Sequence, residues 1–226
     1  MDETGGTASV KTVLQPGNVA YNSTCRALRT GAASVFDGGF EVDFSRYIYV
    51  NLYASDFINV STADFIALNF SHRFAASRRQ ALFFGCTDYS YGGVSHKSRS
   101  VPPGSPIKII ADKMAAVFPG LKFNSILVNY YPVNESYIPF HSDDEPEIVA
   151  NSYITTLSIG GTRTLAFRKK RCHKIICSTI VKHGSITIFP QNSQYLYEHS
   201  ILRGDVNCLE TDQARISLTF RKLEKL

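Results

Sequence analysis

The chain has 226 residues, 44% hydrophobic and 19% charged, with a formal net charge of +5. That length holds one substantial core, and that balance excludes a disordered, collagenous or histone-like polycationic chain. No apolar run reaches the roughly 20 residues of a bilayer-spanning helix.

Five cysteines without a C-x-x-C pair argue against a disulfide framework and for a reducing compartment such as the cytoplasm. Residues 1–35 are rich in Gly, Ala, Ser and Thr, and read as a partly ordered leader before one domain over 36–226. The N-terminus carries no apolar segment of the signal-peptide kind.

Aromatic and β-branched residues from Phe40 to Phe44 and from Tyr47 to Tyr53 predict strand. Ser61 opens a stretch with apolar positions at helical spacing, which predicts a helix to about Phe74. Arg78 to Gly93 reads as a strand and a glycine-punctuated loop. Ser105 then caps a helix with Pro106 at its first position. Its buried stripe is expected to be Ile107, Ile110, Met114, Val117 and Phe118, and Pro119-Gly120 stops it.

The pattern then changes to short strands separated by turns. They begin near Phe123, Tyr153, Thr164, His173, Ser185, Tyr197 and Ala214. Strands in such a run, after two or three N-terminal helices, predict an α+β, mainly β chain built on a double-stranded β-helix (jelly roll), with its core over 121–223. There is no βαβ alternation, no G-x-G-x-x-G and no P-loop, so a nucleotide-binding parallel sheet is disfavoured.

Three residues of the strand-rich half point to chemistry. His141 and Asp143 are two apart, so on a strand or its edge they share a face. His199 lies on a later strand that a jelly roll can bring opposite. Two imidazoles and one carboxylate are the ligand set of a mononuclear non-haem iron(II) oxygenase, which leaves positions open for cosubstrate and O2. The same spacing also arises as a surface pair in a polar turn, with His199 a hydrogen-bonded core residue. Arg215 and Arg221 lie six apart on one strand, on the face opposite Ile216, Leu218 and Phe220. Guanidinium forks match carboxylates. Alternation alone does not decide whether that polar face lines a cavity or meets water.

Several motifs together resemble a known family. They are N-x-Y at Asn129–Tyr131, H-x-D-x-E at His141–Glu145 and S-I-G-G-x-R at Ser158–Arg163. Further on come H-G-S-I at His183, E-H-S-I at Glu198 and R-x-S-x-x-x-R at Arg215–Arg221. This set resembles the AlkB-type dioxygenases that depend on iron(II) and 2-oxoglutarate, from about Arg78 to Arg221. Its H-S-D-D-E form is similar to the AlkB domains in replicase polyproteins of positive-strand RNA viruses of plants.

The resemblance implies that His141, Asp143 and His199 bind Fe(II). Arg215 would pair with the far carboxylate of 2-oxoglutarate, and Arg221 with the carboxylate that chelates iron. Asn129 and Tyr131 would hydrogen-bond the cosubstrate, as would Ser217, which stands where the family usually has Asn. Residues 78–103 would form a nucleotide-recognition lid, with Tyr89 and Tyr91 against a flipped base and Glu145 beside it. Independently of the resemblance, the cations Arg78, Arg79, Lys97, Arg99 and the run Arg168–Arg171 could contact phosphates, though a charge run is usually just a solvated strand end.

The implied activity is oxidative demethylation of 1-methyladenine and 3-methylcytosine, with methylated single-stranded RNA the expected partner. The implied setting is a monomeric domain of a larger replicase polyprotein in the host cytoplasm. Two other readings fit the same residues: a 2-oxoglutarate-dependent hydroxylase of protein or small molecules, and a jelly-roll RNA-binding module without catalysis.

Overall fold

The protein is described by a computed structural model over residues 49–53, 79–91, 94–204 and 214–225. The expected leader, the strand at Phe40 and the helix from Ser61 to Phe74 lie outside the described residues.

Twelve strands and one α-helix are seen in that range, in chain order. β1 (Tyr49–Tyr53), β2 (Gln80–Gly85), β3 (Tyr89–Tyr91) and β4 (Val94–His96) precede helix α1 (Pro106–Val117). β5 (Ser125–Tyr131), β6 (Ile138–His141), β7 (Tyr153–Gly160), β8 (Arg163–Lys169) and β9 (Ile175–Val181) follow it. β10 (Ser185–Pro190), a 3-10 turn (Gln191–Tyr195), β11 (Tyr197–Ile201) and β12 (Arg215–Arg221) complete it.

All strand pairs are antiparallel. β1-β10-β7-β12-β5-β2 form one sheet, β6-β11-β8-β9 a second, and β3-β4 a separate hairpin. From β5 to β12 the chain crosses between the two large sheets at every connection except β8–β9, the jelly-roll pattern that the strand spacing predicts.

Helix α1 begins where its local chemistry dictates. The Ser105 hydroxyl accepts from the Lys108 amide at 3.3 Å, and proline supplies a first-turn residue with no amide to satisfy. Ile107, Ile110 and Met114 are buried, and Phe118 joins them. Val117 does not: it is 48% exposed. It sits three residues after Met114, at the rim of the stripe, while Phe118 takes the next inward place.

These side chains pack on the outer face of the six-stranded sheet, against Ile216, Leu218 and Phe220 of β12 and Ile126 and Val128 of β5. The main apolar core therefore lies outside the barrel, between helix and sheet. Each such buried side chain contributes about 1.5–3 kcal/mol. β12 is buried along its whole length, so its other face must be covered too. That face looks into the space between the two sheets.

Candidate active site

The inner space carries a smaller apolar cluster around Leu165, Phe167 and Ile201 beside a set of polar side chains. Thr156 on β7, Thr187 on β10 and Ser217 and Thr219 on β12 face it from the large sheet. A cleft runs between the sheets. His141, Asp143, His199, Arg215 and Arg221 all line it, together with Asn129, Tyr131 and Ser217.

The register explains why residues 58 apart in sequence meet. β11 pairs with β6 so that His199 stands directly opposite His141. Their ring centroids are 4.3 Å apart. Asp143 follows the end of β6 and is held there from outside: its amide donates to Gln194 Oε1 at 3.0 Å. Gln194 is buried in the 3-10 turn that leads into β11. The turn thus ties the Asp143 backbone to the strand that carries the second histidine.

One ligand atom from each of the three residues lies within 4.8 Å of the other two. No other such group occurs among the described residues. The protonation pattern suits a cation. His141 Nδ1 is 2.8 Å from the Pro139 carbonyl, so Nδ1 carries the hydrogen and Nε2 keeps its lone pair. That Nε2 points at Asp143 Oδ1, 3.8 Å away. Arg221 donates to Asp143 Oδ2 from Nη2 at 2.5 Å and from Nε at 3.2 Å. Asp143 Oδ1 is buried with no partner, and so is Nδ1 of His199. A buried carboxylate oxygen and a buried ring nitrogen left without partners are costly. A divalent ion at that point removes the cost. The donor set and these orphaned atoms fit iron(II).

Electrostatics agree. Burial, the largest influence on Asp143, favours its neutral form, but Arg221, His199 and His141 outweigh it and hold the carboxyl at about 2. Burial pushes His199 down to about 3, with His141 adding to the effect. His141 is also lowered by burial, against an opposing pull from Asp143. Both rings are neutral and the acid is ionised at neutral pH, as metal ligands must be.

Arg215 lies at the other end of the cleft. It pairs in register with Tyr131 and Gly160. It is 1% exposed, and its Nη2 donates to Ser158 Oγ at 2.8 Å. Tyr131 lies under the guanidinium, 5.0 Å from ring centroid to carbon. Nε and Nη1 have no partner. Burial lowers its pKa, Tyr131 opposes that, and Arg163, also buried, adds to the lowering. A buried cation with two idle donors and a second cation nearby calls for an anion.

The remaining expected residues fall in different places. Asn129 faces Ser217 across β5–β12 and accepts from Arg79. Tyr89 is 1% exposed, stacked on Phe83 at 5.2 Å with Arg221 5.6 Å from its ring centre. In this structure it joins the β3–β4 hairpin to the core rather than offering an open ring face. Tyr91 ends β3, opposite Val94. Glu145 lies near Asp143 and Tyr89; burial first, then Asp143, pushes it up to about 7. Lys97 is paired with Asp88 at 2.8 Å, and Arg78 is outside the described residues. Ser158, Arg163 and Gln194 were not singled out one by one from the sequence. Ser158 and Arg163 do end the S-I-G-G-x-R motif, but a buried glutamine behind a ligand has no signature of its own.

The comparisons with known proteins bear on this geometry. Residues 72–221 match the family profile described as the 2OG-Fe(II) oxygenase superfamily. The DNA oxidative demethylase ALKBH2 of Arabidopsis thaliana is 28% identical over 61% of this chain and 49% of its own length. The alpha-ketoglutarate-dependent dioxygenase alkB homolog 3 of Rattus norvegicus is 26% identical over 63% of this chain and 49% of its own. The RNA replication protein of Papaya mosaic potexvirus is 30% identical over 63% of this chain and 8% of its own. The chain thus spans about half the length of the first two relatives. No helix among the described residues is long and apolar enough to cross a membrane. The profile covers all three gathered ligand candidates and both buried arginines of β12, and the chain belongs to the 2OG-Fe(II) oxygenase superfamily, whose cofactors are Fe(II), 2-oxoglutarate and O2.

Proposed function

We propose that the chain demethylates N-alkylated nucleobases, such as 1-methyladenine and 3-methylcytosine, in single-stranded RNA. The observation that carries the reading is one cleft holding both a buried three-ligand cluster with unpartnered atoms and a buried arginine with idle donors. The relatives supply the substrate class: two carry demethylase or dioxygenase names of the AlkB kind, and a third is a viral RNA replication protein. That third similarity supports RNA over DNA, a place in a larger replicase and the host cytoplasm.

His141, Asp143 and His199 would hold the iron. When bound, iron(II) with 2-oxoglutarate and O2 supplies the oxidant that hydroxylates the N-methyl carbon, leaving succinate, carbon dioxide, formaldehyde and the unmethylated base. The chain's own part is positional. Arg215 receives the far carboxylate of the cosubstrate through Nε and Nη1 while Ser158 anchors its third nitrogen. Arg221 keeps Asp143 ionised and leaves one oxygen free for the metal. Tyr131 and Asn129 border the cosubstrate, and Ser217, shorter than Asn, leaves room beside them. Glu145 and the lid flank the place where a base enters.

The test is to incubate iron-loaded protein with 2-oxoglutarate and an RNA oligonucleotide containing 1-methyladenine. Formaldehyde and plain adenine are expected in equal amounts. Succinate formed without base repair, and stimulated by a peptide instead, would overturn the substrate assignment.

A further inference from the structure

The hairpin joining β8 to β9 carries Arg168, Lys169, Lys170, Arg171, His173 and Lys174 within seven residues. A run of cations at a strand end is normally just solvated. Here it is built into the metal centre. Arg168 Nε donates to Glu198 Oε2 at 2.6 Å, and its guanidinium lies 4.3 Å from the centre of the Phe140 ring. Lys170 Nζ donates to Asp144 Oδ2 at 2.5 Å, and its amide donates to the Leu196 carbonyl at 2.9 Å. Phe140, Asp144 and Glu198 are the chain neighbours of His141, Asp143 and His199. Each candidate ligand therefore has an adjacent residue tied to this one hairpin. Such half-exposed ion pairs add little stability. What they do is fix the hairpin's place relative to the ligands.

Those two acids account for Arg168 and Lys170. Lys169, Arg171 and Lys174 are exposed, and among the described residues no carboxylate lies within ion-pair distance of them. Three uncompensated cations on one turn stand against a net charge of +5 for the whole chain, so much of the excess charge is concentrated here.

Strand register shows where they stand. Along β8, Arg163, Leu165 and Phe167 face inward. Phe167 is level with His199, and Lys169 continues the same face one step past it, opposite Tyr197. Arg163 and Leu165 lie toward Arg215, on the cosubstrate side of the metal ligands. Lys169 lies on the other side, about 7 Å beyond His199 along the strand. The order through the barrel is thus anion pocket, ligand cluster, basic hairpin. The hairpin therefore stands at the rim beyond the ligands, on the side away from the anion pocket.

We propose that Lys169, Arg171 and Lys174 grip the backbone phosphates of the substrate strand beside the target nucleotide. Because Arg168 and Lys170 bind the hairpin to the neighbours of all three ligands, this grip sets how far the backbone sits from the iron. The inference rests on the nucleic-acid reading above and adds the surface that holds the strand.

The test compares two double variants of equal charge loss. One is Lys169→Ser with Arg171→Ser. The other is Lys108→Ser with Lys113→Ser, on α1, behind the large sheet. Binding of a methylated RNA oligonucleotide to the metal-loaded full chain is followed by fluorescence anisotropy between 50 and 200 mM salt. Each lost phosphate contact to a single strand lowers the slope of log K against log salt by about 0.7. The hairpin variant is expected to lose about 1.4 in slope and to bind at least tenfold more weakly at low salt, whereas the α1 variant keeps the wild-type slope. Equal slopes in all three proteins, or equal losses in both variants, would overturn the assignment. A wild-type protein that turns over 2-oxoglutarate but binds no oligonucleotide at any salt would defeat the nucleic-acid reading itself, and this one with it. Thermal unfolding separates a lost contact from a lost fold.

Discussion

Arg215 offers a prediction in which two measurements move in opposite directions. Its guanidinium is 1% exposed, one nitrogen is held by Ser158 at 2.8 Å, and two others are unpartnered. Without an anion, the cation is a burden on the fold. With 2-oxoglutarate it becomes half of a buried, hydrogen-bonded charge pair. The change Arg215→Met keeps most of the volume and removes the charge. Removing one partner from such a pair costs about 2–5 kcal/mol, or about 30-fold to several thousand-fold in affinity. At a 2-oxoglutarate concentration 100 times the wild-type Kd, the wild type gains about 2.7 kcal/mol of stability from the ligand, and a variant weakened 100-fold gains about 0.4. The apo variant, relieved of an uncompensated charge, should unfold at the same temperature as the apo wild type or higher. Thermal scans of both proteins, with and without 2-oxoglutarate in the presence of manganese(II), give all four values. An apo variant several degrees less stable, or one that keeps its cosubstrate-induced shift, would refute the argument that this arginine is an anion site held ready.

Other outcomes follow from the ligand cluster. His141→Ala should abolish tight manganese(II) or cobalt(II) uptake in calorimetry, while circular dichroism stays that of the wild type, because the ring is only partly buried. Gln194→Leu removes the acceptor of the Asp143 amide and should weaken metal binding by about 10–100-fold, the usual cost of losing a residue that orients a ligand. The shift in the cobalt(II) visible spectrum reports the altered ligand geometry, and Gln194→Glu should restore it in part. The pH dependence of metal uptake should be unusually flat. A proton competes for a histidine ligand only below that ring's pKa, and two ordinary imidazoles near 6.5 would cost about tenfold in affinity between pH 7.5 and pH 6. Burial lowers both rings, His199 to about 3, so the loss in calorimetry should stay below the roughly fourfold that one ordinary imidazole would cost. Glu145, pushed up to about 7, gains its proton in that window and removes a negative charge near the metal. Glu145→Gln should remove the part of any residual slope that this group contributes.

Much of this was legible before any coordinates. All the strands from β5 to β12 except β6 announce themselves by β-branched and aromatic runs between turn residues, and helix α1 by Ser105-Pro106 and a 3.6-residue stripe. β6 escaped because it is four residues long and contains Pro139, so its strand character comes from pairing with β11. The His-x-Asp spacing gave the two nearby ligands, but only the β6–β11 register sets His199 opposite His141. Alternation in β12 left open whether the arginine face met water. The answer is tertiary: a second sheet covers it. Tyr89 shows the limit from the other side, since an aromatic residue in a lid and one in a core share one local pattern, and the stacking on Phe83 is a contact no spacing encodes.

The outward packing of β12 has a further consequence. Ile216, Leu218 and Phe220 hold the fold from one side of a single backbone, while Arg215, Ser217, Thr219 and Arg221 furnish the interior from the other. Ligand preference and thermal endurance are thereby written on alternate letters of the same seven-residue word. Variation at 217 and 219 can retune what the barrel accepts without melting it. A change such as Phe220→Ala, which deletes the ring packed 4.6 Å from Phe123, should cost about 3–5 kcal/mol and leave the pocket chemistry untouched.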